Sequence, residues 1–337
     1  MKRKNLLVTG ITAAILALAM TGCTTEVAGP SAPADGPKNG ENYVFGNIAY
    51  NMKDVWNTYS AEAFTFAGDS VDVETIVLDS ENSLEKSVSL MEELIAKDVD
   101  GISVFPISPD QAATLGKMAK DAGIPITFEN TTPALDESEY ISVIAAQYDL
   151  IGEAAMNYIA ETYPGAKVLF VAGAKGGGVY ETYQEGIDRT LEKLNGAIEI
   201  VATVHGDWET ELAMNVTANA IQAGTTFDVV FANNELMAKG VKNALVEAGL
   251  DLPIVSTGGG PDGVKMIEDG ELTATMGAPV SLQGLITFRN LYQSVVLGMT
   301  PEKFTPLPVV PMDKNNLADA ISWKVSDAAV DYIGGIK

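Results

Sequence analysis

The chain has 337 residues, a formal charge of −24 from 21 Lys and Arg against 45 Asp and Glu, and a single cysteine, Cys23. That charge repels nucleic acid and anionic lipid head groups, which excludes a basic patch as the means of binding either. One cysteine forms no internal disulfide, so stability must come from an apolar core, and 47% hydrophobic residues over this length suffice for about two domains.

Lys2, Arg3 and Lys4 form a basic start, and Leu6 to Met20 form an apolar run. The run is shorter than the roughly 20 residues needed to span a bilayer, so it reads as a secretory signal over residues 1–22 rather than as a transmembrane helix. Thr21 and Gly22 before Cys23 resemble the lipobox of bacterial lipoproteins, in which the thiol is acylated; the alternative is a buried thiol that falls near a cleavage site. Cleavage before Cys23 would remove three basic residues and no acid, leaving a mature charge of −27. Residues 24–40, TTEVAGPSAPADGPKNG, lack apolar periodicity and read with Cys23 as a flexible tether with a span of roughly 20–25 Å.

From Tyr43 onward short β-branched runs alternate with segments of helical period. Strands are expected at 43–49, 73–78, 101–105, 124–128, 167–171, 198–204, 229–232, 253–257 and 273–276. Between them lie helices such as Ser83–Lys97, where Leu84, Val88, Met91 and Ile95 form one apolar stripe. This alternation predicts βαβ units and parallel sheets covered on both faces. Residues 99–126 can be laid over 227–254 with a two-residue insertion, and both end in an acidic residue, Ala and Gly before a strand. The fold expected is therefore α/β, with two similar doubly wound lobes. Residues 41–144 with 280–307 would form the N-terminal lobe, and 148–277 with 312–337 the C-terminal lobe. Val280–Leu297 adds a helix, and the tail through Pro306, Pro308 and Pro311 supplies a crossing strand.

Ligands of open α/β sheets bind beyond the carboxyl ends of the strands, so the residues that follow each strand are the site candidates. They include Asn51, Asp54, Trp56, Glu129, Asn130, Trp208 and Asn234. Two tryptophans suit the apolar faces of a sugar ring, while carboxylates and amides suit its rim of hydroxyls. The competing readings are core packing for each aromatic and helix N-capping for each Asp or Asn.

The lipobox, the tether and the paired lobes are similar to the type I substrate-binding proteins of bacterial ABC importers, the family of the ribose and galactose/glucose binders. FANNELMAKGVKNAL at 231–245 resembles that family's ANND-x-MA-x-G segment, and the pattern at 260–270 resembles the stretch that follows it. The resemblance implies a three-segment hinge near Ala145–Gln147, Ala278–Val280 and Leu307–Pro311. It implies that Asp54 accepts from a ligand hydroxyl, that Trp56 and Trp208 cover opposite ring faces, and that Asn130 and Asn234 are amide ligands. Tyr183, Gly258 and Ala278 stand where relatives carry polar contacts, and the calcium loop of the galactose/glucose binders is absent. No metal or cofactor is therefore expected, and a less polar, deoxygenated or alkylated sugar is expected to be preferred over glucose, galactose and ribose.

The partners expected are a sugar-like ligand, an ABC permease and a membrane reached through the lipid, with no nucleic acid and a monomeric state. The glycine runs at 174–180 and 256–263 match no phosphate loop, and no G-x-S-x-G or H-E-x-x-H site occurs. With one histidine, His205, nucleophilic and zinc chemistry have few players, although a carboxylate pair leaves a glycoside-acting enzyme as one alternative. A sensory lipoprotein feeding a membrane kinase is another. A sugar-responsive repressor would need a DNA-binding module where signal and tether stand.

Overall fold

The computed structural model describes residues 43–176 and 178–337; Cys23 and the expected signal and tether lie outside them. The chain first runs through β1 (Val44–Ala49), α1 (Val55–Asp69), β2 (Glu74–Asp79), α2 (Leu84–Ala96), β3 (Gly101–Val104), α3 (Pro109–Ala122), β4 (Ile126–Glu129) and β5 (Val143–Ala145). There follow α4 (Tyr148–Thr162), β6 (Lys167–Ala172), α5 (Val179–Leu194), β7 (Glu199–His205), α6 (Thr210–Gln222), β8 (Val229–Ala232), α7 (Glu235–Glu247), β9 (Ile254–Gly258), α8 (Pro261–Glu268) and β10 (Ala274–Gly277). The remainder holds α9 (Val280–Val295), β11 (Phe304–Pro306), β12 (Val310–Asp313) and α10 (Asp327–Tyr332). No helix among the described residues is long and apolar enough to cross a membrane.

Two six-stranded sheets result, in the orders β2-β1-β3-β4-β5-β11 and β7-β6-β8-β9-β10-β12. The first is parallel throughout; in the second only β12 runs antiparallel, against β10. The internal echo in the sequence corresponds to β3-α3-β4 and β8-α7-β9, which occupy equivalent places in the two sheets. All nine expected strands are present within a residue or two at each end; β5 and β11 are additional.

Strand alternation builds a core on each face of each sheet. In β6, Val168 and Phe170 face α4 and α5, whereas Leu169 and Val171 face α6 and α7. Phe170 stacks on Phe231 of the neighbouring strand at 5.0 Å, and both are fully buried. Each such side chain contributes about 1.5–3 kcal/mol relative to exposure. Helix starts follow local chemistry: Ser83, Ser108 and Asn234 cap α2, α3 and α7 by accepting the N–H three residues on.

Two expectations are corrected. The buried line of α2 is Ser87, Met91 and Leu94, while Leu84 is 54% exposed. Gly46 of β1 is the reason, because a Cβ there would lie 2.6 Å from Leu94 Cδ1, and Leu94 fills the space the glycine leaves. The tail also divides differently. β12 joins the second sheet, but Ile321, Val325, Ala329, Ile333 and Ile336 pack with Phe45, Leu282 and Phe288 in the first lobe.

Candidate functional site at the carboxyl ends of the two sheets

The chain passes between lobes three times: from β5 into α4, from β10 into α9 and from β11 into β12. Each crossing leaves the carboxyl end of a strand, so the carboxyl edges of both sheets face the junction of the lobes. Backbone bonds tie the crossings together. Leu307 N–H donates to Ala145 O at 2.8 Å, and Ala278 N–H donates to Gly258 O at 3.0 Å.

On the first lobe, Asn51 Oδ1 accepts from Lys53 N–H at 3.1 Å, and Asp54 caps α1 by accepting from Trp56 N–H at 3.0 Å. Trp56 packs against core residues of both lobes, and its Nε1–H donates to Gln283 Oε1 at 3.1 Å. Asn130, at φ +57°, uses Oδ1 to accept from Ala146 N–H at 3.0 Å and so pins the first crossing.

Glu129, expected to face a ligand, lies inside the lobe at 2% exposure. Its carboxyl accepts from Asn47 Nδ2 (2.9 Å), Ser103 Oγ (2.8 Å), Ser60 Oγ (2.7 Å) and Gln283 Nε2 (2.7 Å). Four donors fill its acceptor sites. With its amide nitrogen held by Glu129, Gln283 can only turn its oxygen toward Trp56. Glu129 therefore orients the tryptophan through one intermediary.

On the second lobe, the Tyr148 and Tyr183 rings meet at 5.3 Å. Thr257 Oγ–H donates to Asn233 O at 2.6 Å, so in the 2.9 Å contact between the hydroxyls Tyr183 is the donor. Tyr183 is a buried brace. Trp208, at φ +71°, covers Gly173 so closely that a Cβ there would lie 2.0 Å from its ring. His205 Nδ1 lies 2.7 Å from Gly173 O, which requires the proton on Nδ1, and Tyr180 meets the imidazole edge-on at 5.0 Å. Asn234 caps α7 by accepting from Met237 N–H at 2.8 Å.

Asp54 connects the two sides. Burial among neighbouring groups raises its carboxyl above the ordinary range, although the residue keeps solvent contact. Across the junction, burial first and then the charge of Asp54 push Tyr148 up to about 12. The structure thus brings Asp54, Trp56 and Tyr148 to the meeting of the lobes, and Trp208 packs on the same second-lobe core as Trp56. Sequence reasoning missed Gln283, Tyr148, Trp323 and the buried Glu235. A polar residue in the first turn of an apolar helix was the available signal for Gln283. Among the described residues no group of three or more His, Cys, Asp and Glu is placed to hold a metal ion.

Two doubly wound lobes joined by three crossings define the type I periplasmic binding protein fold. Residues 45–297 match the family model described as periplasmic binding protein domain, and the chain belongs to that family. Over 213 residues, 62% of this chain and 70% of the relative, it is 32% identical to the ribose import binding protein RbsB of Escherichia coli (strain K12). Two solved structures, each 22% identical, share the fold. An ABC transporter periplasmic solute binding protein from Actinobacillus succinogenes 130z with bound D-allose has a TM-score of 0.73, covering 83% of this chain and 100% of that one. An ABC transporter solute binding protein from Bacillus halodurans C-125 with bound myo-inositol has a TM-score of 0.71, covering 85% and 98%.

Proposed function

We propose that the chain is an extracytoplasmic lipoprotein, anchored through Cys23, that captures a monosaccharide or sugar-like molecule between its lobes and delivers it to an ABC permease. The observation that carries this reading is the meeting of Asp54 and Trp56 from one lobe with Tyr148 from the other: a charged acceptor, an apolar ring and a phenol at facing strand ends. Such a set suits a ring with apolar faces and a hydroxyl rim. Asn51, Asn130 and Asn234 each use Oδ1 on a backbone N–H, and in this reading their amide nitrogens donate to the ligand. Glu129 and Tyr183 act from behind, holding Trp56 and Tyr148. Trp208 supplies a second apolar face. No bond is made or broken in this cycle.

The printed names of the relatives support the ligand class, since they include binders of ribose, allose and myo-inositol. With Gly258 and Ala278 offering no side-chain hydrogen bond, a hydroxyl buried against them would cost about 1–3 kcal/mol, so a ligand lacking that hydroxyl is preferred. Calorimetry with D-ribose, D-allose, myo-inositol and their deoxy analogues tests this. Saturable binding that weakens in Asp54→Asn is the expected result, and no binding across the panel overturns the sugar reading. Mass spectrometry of the membrane fraction tests the anchor, for which an unmodified mature Cys23 is the refuting result.

A further inference from the structure

The C-terminal tail carries Trp323 to the place where the lobes and the hinge meet. Its Nε1–H donates to Gly258 O at 2.8 Å, and its six-membered ring lies 3.4 Å from where a Cβ on Gly260 would stand. From the other side it meets Trp56 edge-on at 5.2 Å and Tyr59 at 6.2 Å. Trp323 therefore touches α1 of the first lobe and the β9–α8 turn of the second at once.

Both ends of this contact are built. The turn is held by its own peptide: Gly258 sits at φ +132° and Gly259 at φ +78°, Gly259 N–H donates to Glu235 Oε1 at 2.6 Å, and Gly258 O also accepts from Ala278 N–H at the second crossing. The tail is held to the first lobe. Ser281 Oγ donates to Ser322 O at 2.7 Å, Arg289 Nη1 donates to Ile333 O, and Val325, Ala329 and Ile336 pack with Leu282 and Phe288. A rotation of the lobes about the hinge must then either break the Trp323–Gly258 bond or strip the tail from its core.

We propose that Trp323 is a clasp carried by the first lobe, which holds the second lobe near its observed position and keeps Trp56 in place beside the ligand. It acts as a positioning residue for capture, and that part of its role rests on the reading of the cleft as a ligand site. A ligand trapped behind the clasp leaves slowly, so the effect belongs mainly to dissociation.

The test compares the full wild-type chain in detergent with Trp323→Phe and Trp323→Ala, first without ligand. Small-angle scattering should show a larger radius of gyration for Trp323→Ala, and the Gly259–Glu268 amides should exchange several-fold faster. Trp323→Phe, which keeps an aromatic edge and loses the N–H, should fall between. A folded Trp323→Ala with unchanged radius and exchange overturns the clasp. Should Trp323→Ala fail to unfold cooperatively, Trp323→Phe carries the comparison on the same readouts. With D-allose or myo-inositol as probe, Trp323→Ala should raise the dissociation rate about tenfold with a smaller change in association; equal dissociation rates refute the positioning role. If neither probe binds the wild type, the sugar reading loses its support, while the ligand-free measurements still decide the clasp.

Discussion

At the scale of single residues, two buried carboxyls in equivalent settings behave oppositely. Glu129 has four side-chain donors from β1, β3, α1 and α9. Replacing it with Gln puts an amide N–H2 against groups that were donors, which should destabilise the chain by about 1–3 kcal/mol in urea unfolding and shift Trp56 fluorescence. Unchanged stability would show that the donors turn to other partners without cost. Glu235 receives Gly259 N–H and Thr275 Oγ–H, yet burial outweighs them and pushes its carboxyl up to about 7. Between its ordinary value of 4.5 and about 7 the folded chain holds a proton that the unfolded chain lacks. Stability from this group is therefore complete below the lower value and declines as pH rises to the upper one, by about 3 kcal/mol at most. Glu235→Gln should flatten that decline in unfolding measured across the range; an unaltered slope would place its origin elsewhere.

At the scale of elements, glycines decide how closely helices approach. A Cβ on Gly284 of α9 would stand 2.0 Å from Ser60 O of α1, so the two helices pack backbone to backbone over the first sheet. Gly284→Ala should separate them and cost about 3 kcal/mol, the upper end of overpacking penalties, seen as a lower melting temperature. Because Gln283 precedes Gly284, the same change should weaken the Glu129–Gln283–Trp56 chain. The α2 helix shows the converse. Its period was legible, but which of its apolar lines turned inward depended on the space above Gly46, a property of the neighbouring strand.

At the scale of the whole molecule, the three crossings, tied by Asn130 to Ala146, Ala145 to Leu307 and Gly258 to Ala278, form one hinge region between two separately cored lobes. A ligand that contacts both lobes favours the arrangement in which both contacts are made. Scattering at saturation with a bound sugar should report a smaller radius of gyration than without it. The same radius in both states would count against closure about this hinge.

The alternation of β-branched runs with helical periods determined nearly all the strands, the parallel sheets and the duplicated lobe, because those follow from local periodicity and from the need to cover both faces of a buried sheet. The positions after the strands likewise identified Asp54, Trp56, Asn130, Trp208 and Asn234 as candidates. Tertiary structure alone decided what each could do. Asn51, Asp54, Asn130 and Asn234 hold backbone N–H groups, Glu129 and Tyr183 turn into their lobes, and Gln283 and Trp323 reach Trp56 and Gly258 from 227 and 65 residues away. Local sequence sets which conformations a segment prefers; the partner of a buried polar group is set by which distant segment the packed lobes bring within hydrogen-bonding distance.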